Sequence, residues 1–127
     1  MSKTLITPAN APAPVGPYSP AVAANGFVFV SGQIPLKADG TIETGSFAAQ
    51  ARQTLENLKT VLEAAGSSLN DAVKVTIYLS DMNNFAELND IYAEYFGESK
   101  AARACLQAAA LPKGVAVEID ATAVHHP

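Results

Sequence analysis

An arginine and two carboxylates set among apolar strand-forming residues are the groups in this sequence best suited to chemistry. They lie in Ala102-Arg103-Ala104-Cys105-Leu106-Gln107, Leu111-Pro112-Lys113-Gly114 and Val115-Ala116-Val117-Glu118-Ile119-Asp120-Ala121. One chemistry they allow is a small pocket that holds an anion and activates water. On strands, Arg103 shares a face with Cys105, and Glu118 shares a face with Asp120, opposite Val117, Ile119 and Ala121. The stretch reads as two strands joined by a Pro-Gly turn. A hairpin symmetric about Pro112 and Lys113 sets Glu118 opposite Gln107. It puts Arg103 on the same sheet face as Glu118, roughly 13 Å further along at strand rise. That is far for two groups serving one small substrate, so a bulge or other segments would have to complete the pocket. A buried Arg–carboxylate ion pair is the structural role equally open to these residues.

Other positions carry weaker signals. Tyr18 sits in Gly16-Pro17-Tyr18-Ser19-Pro20, where flanking prolines fix its backbone; a packed loop aromatic is its plainer role. Gly32, in Ser31-Gly32-Gln33, lets another group approach the chain closely, though a glycine also simply ends a strand. Asn89 borders the apolar stripe of a helix, where such residues are usually solvated. Cys105 is the single cysteine. It reads as a small buried apolar residue rather than a nucleophile, and it can form no intramolecular disulfide. His125 and His126 are the two histidines. They read as a frayed tail without partners at metal spacing, so no metal site is expected. No histidine in the body of the chain disfavours His-based triads and His-dependent ribonuclease chemistry. There is no P-loop and no Gly-rich dinucleotide turn.

The elements that must position these groups follow from periodicity. Residues 8 to 20 hold Pro8, Pro12, Pro14, Pro17 and Pro20 and read as an ordered loop. Asn25-Gly26 between Ala21-Val22-Ala23-Ala24 and Phe27-Val28-Phe29-Val30 is a hairpin signal. Residues 33 to 45 read as loop with a turn at Ala38-Asp39-Gly40. Phe47, Ala51, Leu55, Leu58, Leu62 and Ala65 form a helical stripe over 46–65, with Ser46 as N-cap and Gly66 past the end. Residues 72 to 79 alternate as a strand, with Val73, Val75, Ile77 and Leu79 on one face. A second helix runs from Asn83 or Asn84 to Phe96, with Phe85, Leu88, Tyr92 and Tyr95 on one face, and Gly97 ends it. The order is hairpin, helix, strand, helix, strand, strand: a single α+β domain over 1–127, a mixed sheet with two helices on one face. Phe27 to Val30 is apolar on both faces, so the face without helices must meet something. A second copy of the chain is the simplest partner.

With 127 residues, 49% hydrophobic and 16% charged, the chain can bury a real core. A net charge of −4 without a basic run disfavours nucleic-acid partners. The N-terminal stretch lacks the apolar core of a signal peptide, and no stretch reaches a membrane span of ~18 apolar residues. A cytoplasmic protein without a membrane partner is expected.

Across nearly its whole length the chain resembles the RidA/YjgF family, also known as the endoribonuclease L-PSP family of reactive intermediate deaminases. The resemblance rests on Gly16-Pro17-Tyr18-Ser19, Ser31-Gly32-Gln33-Ile34-Pro35 and the run Gln50-Ala51-Arg52-Gln53-Thr54-Leu55-Glu56-Asn57-Leu58. It continues through Val73 to Leu79, Asn89-Asp90-Ile91-Tyr92, Ala102-Arg103-Ala104-Cys105, Leu111-Pro112-Lys113 and Val117-Glu118-Ile119. Each block is weak alone; their order and spacing are specific.

The resemblance implies a chorismate-mutase-like subunit, a homotrimer with sites between subunits, and no cofactor or metal. It implies hydrolysis of 2-imino acids or enamines (2-aminoacrylate, 2-iminopropanoate, 2-iminobutanoate) to 2-keto acids and ammonia. By position, Arg103 would grip the substrate carboxylate and Glu118 would position the attacking water. The backbone at Cys105 and Gly32 would contact substrate, and Tyr18 and Asn89 would line the pocket. A guanidinium matches a carboxylate with two hydrogen bonds, and a carboxylate within reach can take a proton from water. One departure stands out: the family usually has Pro-Ala-Arg where this chain has Lys100-Ala101-Ala102-Arg103, which frees the backbone before the arginine and adds a cation. Asp120, where a Glu is common, is a smaller change. The alternatives are an endoribonuclease or translation inhibitor, and a non-catalytic carboxylate-binding module using the same arginine.

Overall fold

Asn25 and Gly26 both take positive φ, 52° and 86°. This is the backbone of a two-residue hairpin turn, and only residues tolerant of the left-handed region make it cheaply. The turn joins β2 (Ala21–Ala24) to β3 (Phe27–Gln33), which pair antiparallel. The computed structural model describes residues 2–9, 11, 14 and 16–126; Pro12 of the proline-rich lead-in lies outside them. The other strands are β1 (Thr4–Ile6), β4 (Ala72–Leu79), β5 (Ala102–Gln107) and β6 (Val117–Val124). They form one six-stranded sheet in the order β1-β2-β3-β6-β4-β5. The short edge strand β1 has no alternating pattern and was not expected from the sequence.

The sheet is mixed. β6 runs antiparallel to both β3 and β4, whereas β5 runs parallel to β4. The expected C-terminal hairpin is therefore wrong: β4 lies between β5 and β6. A parallel neighbour needs a crossover, and α2 (Phe85–Phe96) supplies it between β4 and β5. Pro112–Gly114 form a short 3-10 turn on the path to β6, with Lys113 at φ 57°. Glu118 consequently opposes Tyr78 of β4, not Gln107.

Helix α1 (Phe47–Ala64) starts as its sequence dictates, the Ser46 side chain accepting from the Ala49 N–H at 3.1 Å. Gly66 follows the helix end at φ 75°. Ala51, Leu55, Leu58, Leu62 and Ala65 are buried, and α1 packs on β3, β6 and α2. Two positions differ from the periodic reading. Val73 is exposed because a register shift between Ala72 and Lys74 interrupts the alternation in β4. Phe85 is exposed, and α2 buries Leu88, Ile91, Tyr92 and Phe96. Asn84 is the N-cap of α2, as expected, though without a side-chain bond; a 3-10 turn (Met82–Asn84) capped by Asp81 precedes it.

One sheet face, built from Val28, Val30, Val75, Ile77, Leu79, Val117, Ile119 and Ala121, is buried beneath the helices. The face without helices carries Phe29 at 48% exposure, Phe27 at 39% and Leu106 at 42%. Among the described residues no helix is long and apolar enough to cross a membrane. His125 and His126, expected as a frayed tail, are both bonded. His125 N–H donates to Gly26 O, and His126 Nε2 lies 3.1 Å from Asp71 Oδ1.

Candidate active site

Arg103 pairs with Val75 across β4 and β5, and Cys105 pairs with Ile77, so both point to the helix face of the sheet. There α2 receives the guanidinium. Phe85, Asn89 and Tyr92 recur at helical spacing and present one face of α2 to it. Arg103 Nη1 donates to Asn89 Oδ1 at 2.8 Å, and its Cζ lies 4.8 Å from the Tyr92 ring centroid and 5.6 Å from that of Phe85. Tyr92 in turn stacks on Phe96, with centroids 4.7 Å apart. Asn89 is thus exposed, as expected, and also a partner of the arginine. Of the ion pairs among the described residues none involves Arg103, so the expected alternative of an Arg–carboxylate pair does not hold. One neutral acceptor leaves most guanidinium donors available to an anion.

Arg103 opens onto a cleft of about 200 Å³ lined also by Asn89, Tyr92, Phe96, Lys100 and Ala101. Next along β5, Cys105 is half-buried, and burial pushes its thiol up, against a role as thiolate nucleophile. β5 is an edge strand bonded only to β4, so part of its backbone, at and around Cys105, is free to meet a ligand. Beyond it, Gln107 Oε1 accepts from the Met82 N–H at 2.8 Å, which fixes the approach to α2.

Glu118 stands on the other side of the sheet. It opposes Tyr78, and Val117 and Ile119 on either side of it are buried beneath the helices. The expectation that Arg103 and Glu118 share a sheet face is therefore overturned, because Val75 and Tyr78, their partners on β4, point to opposite faces. Within one chain the sheet itself separates the two groups. Around Glu118 the structure does assemble a site. A Cβ at Gly32 would overlap Glu118 Oε2 and fall 2.9 Å from its Cδ, so the carboxylate rests on bare backbone. Gly32 lies where the β3–β6 register shifts, between Val30 and Gln33. Asp120 accepts from Tyr78 Oη at 3.1 Å on the same face. Burial first, and then the charge of Asp120, push the Glu118 carboxyl up; burial also pushes Asp120 up, against the opposing bond from Tyr78.

Tyr18 is exposed, and its loop is tied to the Gly32 strand through Ser31, whose Oγ donates to Ser19 O at 2.6 Å and whose N–H donates to Pro20 O at 2.9 Å. Helix α1 holds the chain on the other side of Gly32: Asn57 Nδ2 donates to Ile34 O at 2.9 Å and to Leu36 O at 2.8 Å. Gln50 Oε1 accepts from the Ala116 N–H at 2.9 Å, at the entrance to β6. The sequence reading missed Tyr78 beside Asp120 and Tyr92 beside Arg103, while the cation it noted at Lys100 does line the cleft. Tyr92 passed for a core residue, and only the parallel pairing of β5 reveals what it carries. Among the described residues no cluster of three or more metal-ligating side chains occurs.

The described residues thus place a guanidinium among aromatic rings on one sheet face and a half-buried carboxylate pair on the other. The family model Endoribonuclease L-PSP matches residues 8–125. The chain belongs to this family, the RidA/YjgF family of the sequence resemblance. It is 55% identical to a RutC family protein of Pyrococcus horikoshii, over 95% of this chain and 97% of that one. It is 46% identical to the 2-iminobutanoate/2-iminopropanoate deaminase of Salmonella typhimurium, over 98% of both chains. Its fold is similar to that of the yeast protein YEO7, with TM-score 0.95 and 46% identity, covering 98% of this chain and 100% of that one. It is also similar to that of E. coli TdcF with bound serine, with TM-score 0.88 and 41% identity, covering 97% of this chain and 99% of that one.

Proposed function

We propose that this protein is a 2-imino acid deaminase working as a homotrimer, each site joining the Arg103 half of one subunit to the Glu118 half of its neighbour. The observation that carries this reading is the Arg103 seat, a guanidinium held by Asn89 and Tyr92 with no carboxylate of its own. Relatives 44% and 46% identical bear the name 2-iminobutanoate/2-iminopropanoate deaminase. The serine in the TdcF structure is a small amino acid with one carboxylate, the size this seat suits.

In the proposed reaction Arg103 binds the substrate carboxylate through two hydrogen bonds, which fixes C2 beside a water held by Glu118. The water oxygen bonds to C2 while its proton passes to Glu118, and the C=N electron pair moves to nitrogen. Glu118 passes that proton to the nitrogen, then takes the proton of the new hydroxyl and passes it to the nitrogen as well, so that the C–N bond breaks, ammonia leaves and the oxygen becomes the keto oxygen. Backbone at Cys105 and Gly32 contacts the substrate, and Tyr18 and Asn89 line the pocket. No cofactor enters the scheme.

The test is imine hydrolysis. 2-Iminopropanoate and 2-iminobutanoate are generated in situ with an amino-acid oxidase or a threonine dehydratase, and imine loss is followed. Wild type accelerates the decay and Arg103→Ala does not. Equal decay with both would leave Arg103 a carboxylate-sensing group in a non-catalytic module. The family name also offers an endoribonuclease, which the net charge of −4 does not favour; RNA retention at low salt would restore it.

A further inference from the structure

Lys100 lines the same cleft as Arg103, Asn89 and Tyr92, and no acidic residue lines it. Neither cation belongs to an ion pair among the described residues. In a chain of net charge −4, two cations beside one cleft that no acidic residue lines make it a favourable place for an anion. Lys100 also adopts φ 52°, a left-handed conformation unfavourable for a residue with a long side chain. The residue after it is Ala101. Alanine, unlike a proline, places no restriction on the backbone of the residue before it. Lys100 is exposed, so its ammonium is open to a ligand in the cleft.

We infer that Lys100 is a specificity-determining residue that binds a second carboxylate, so that the cleft selects dicarboxylic 2-imino acids such as 2-iminosuccinate and 2-iminoglutarate. Arg103, in its fork-like seat on Asn89 and Tyr92, takes the carboxylate next to C2. The Lys100 ammonium, a compact charge on a flexible stem, meets the distal one. The cleft of about 200 Å³ has room for an acid of this size. This inference rests on Arg103 being the carboxylate seat.

The test reads binding of stable keto-acid products and needs no turnover. Titration calorimetry compares 2-oxoglutarate with 2-oxobutanoate in wild type, Lys100→Gly and Lys100→Arg. Glycine suits the left-handed φ, so Lys100→Gly removes the charge without breaking the turn. Wild type is expected to prefer 2-oxoglutarate. Lys100→Gly lowers that preference about tenfold, the scale of one lost charge-assisted contact. Lys100→Arg retains most of it. Equal preference in wild type and Lys100→Gly overturns the role of Lys100 alone. So does a fall in Tm with unchanged preference, which would make Lys100 a capping residue at the end of α2. Binding of neither acid by wild type overturns the Arg103 seat as well.

Discussion

Gly32 and Glu118 are the pair in which one atom more or less decides the site. The carboxylate lies where a Cβ would stand, so Gly32→Ala must displace Glu118 or the β3–β6 bulge. Misplacing a water-positioning group by about 1 Å can cost on the order of 10²-fold in rate. We expect kcat/KM for imine hydrolysis to fall by about that factor, with circular dichroism confirming the fold. Asp120 gives a second prediction, in pH. In the proposed reaction Glu118 acts as base and must be ionised, so the rate should rise with pH through its pKa. Burial and the Asp120 charge hold that pKa up. Asp120→Asn removes the charge and leaves the burial, so the acid limb of the kcat/KM profile moves to lower pH. Stability has the same origin. A carboxyl raised on folding favours the native state below the unfolded pKa, and that contribution is lost as pH rises through the folded value. Asp120→Asn should therefore flatten the fall in Tm between the two. An unmoved limb would assign the base elsewhere.

At the scale of elements, α1 works as a clamp. Its Asn57 ties down the chain that leaves Gly32, and its Gln50 ties down the entrance to β6, which carries Glu118. Asn57→Ala leaves the Ile34 and Leu36 carbonyls without this partner, and we expect a loss of about 1–3 kcal/mol in urea unfolding. An unchanged midpoint would show that water replaces it. These long-range polar bonds explain what the sequence could convey. The Ser46 cap, the α1 stripe, the Asn25-Gly26 turn and the bare face at Phe27 and Phe29 are local signals, and all four appear as expected. Strand neighbours are not local. Nothing in residues 102–121 distinguishes a hairpin from a strand that pairs in parallel with β4 across α2, because both present the same alternation. The face assignment of Arg103 hung on that choice, and it was reversed. Asn89 and Tyr92 became legible as its partners only when α2 was seen to lie over β5.

For the whole molecule, the sheet separates Arg103 from Glu118, so the proposed reaction needs a second chain. Phe27, Phe29 and Leu106 are exposed on the face without helices, where that chain could pack. If neighbouring subunits complete each site, Arg103→Ala and Glu118→Gln should each be inactive alone. Mixed trimers should then recover activity, because an interface taking Arg103 from the Glu118→Gln chain and Glu118 from the Arg103→Ala chain is intact. Random mixing in equal amounts makes about a quarter of all interfaces of this kind. The measurement is imine hydrolysis after the two variants are dissociated together in denaturant and refolded. Recovery near that fraction supports a shared site. No recovery, with mixed trimers verified by mass, would require both groups to act within one chain. In that case the chain would have to bring the two faces of its own sheet to one substrate, which the fold in hand does not permit.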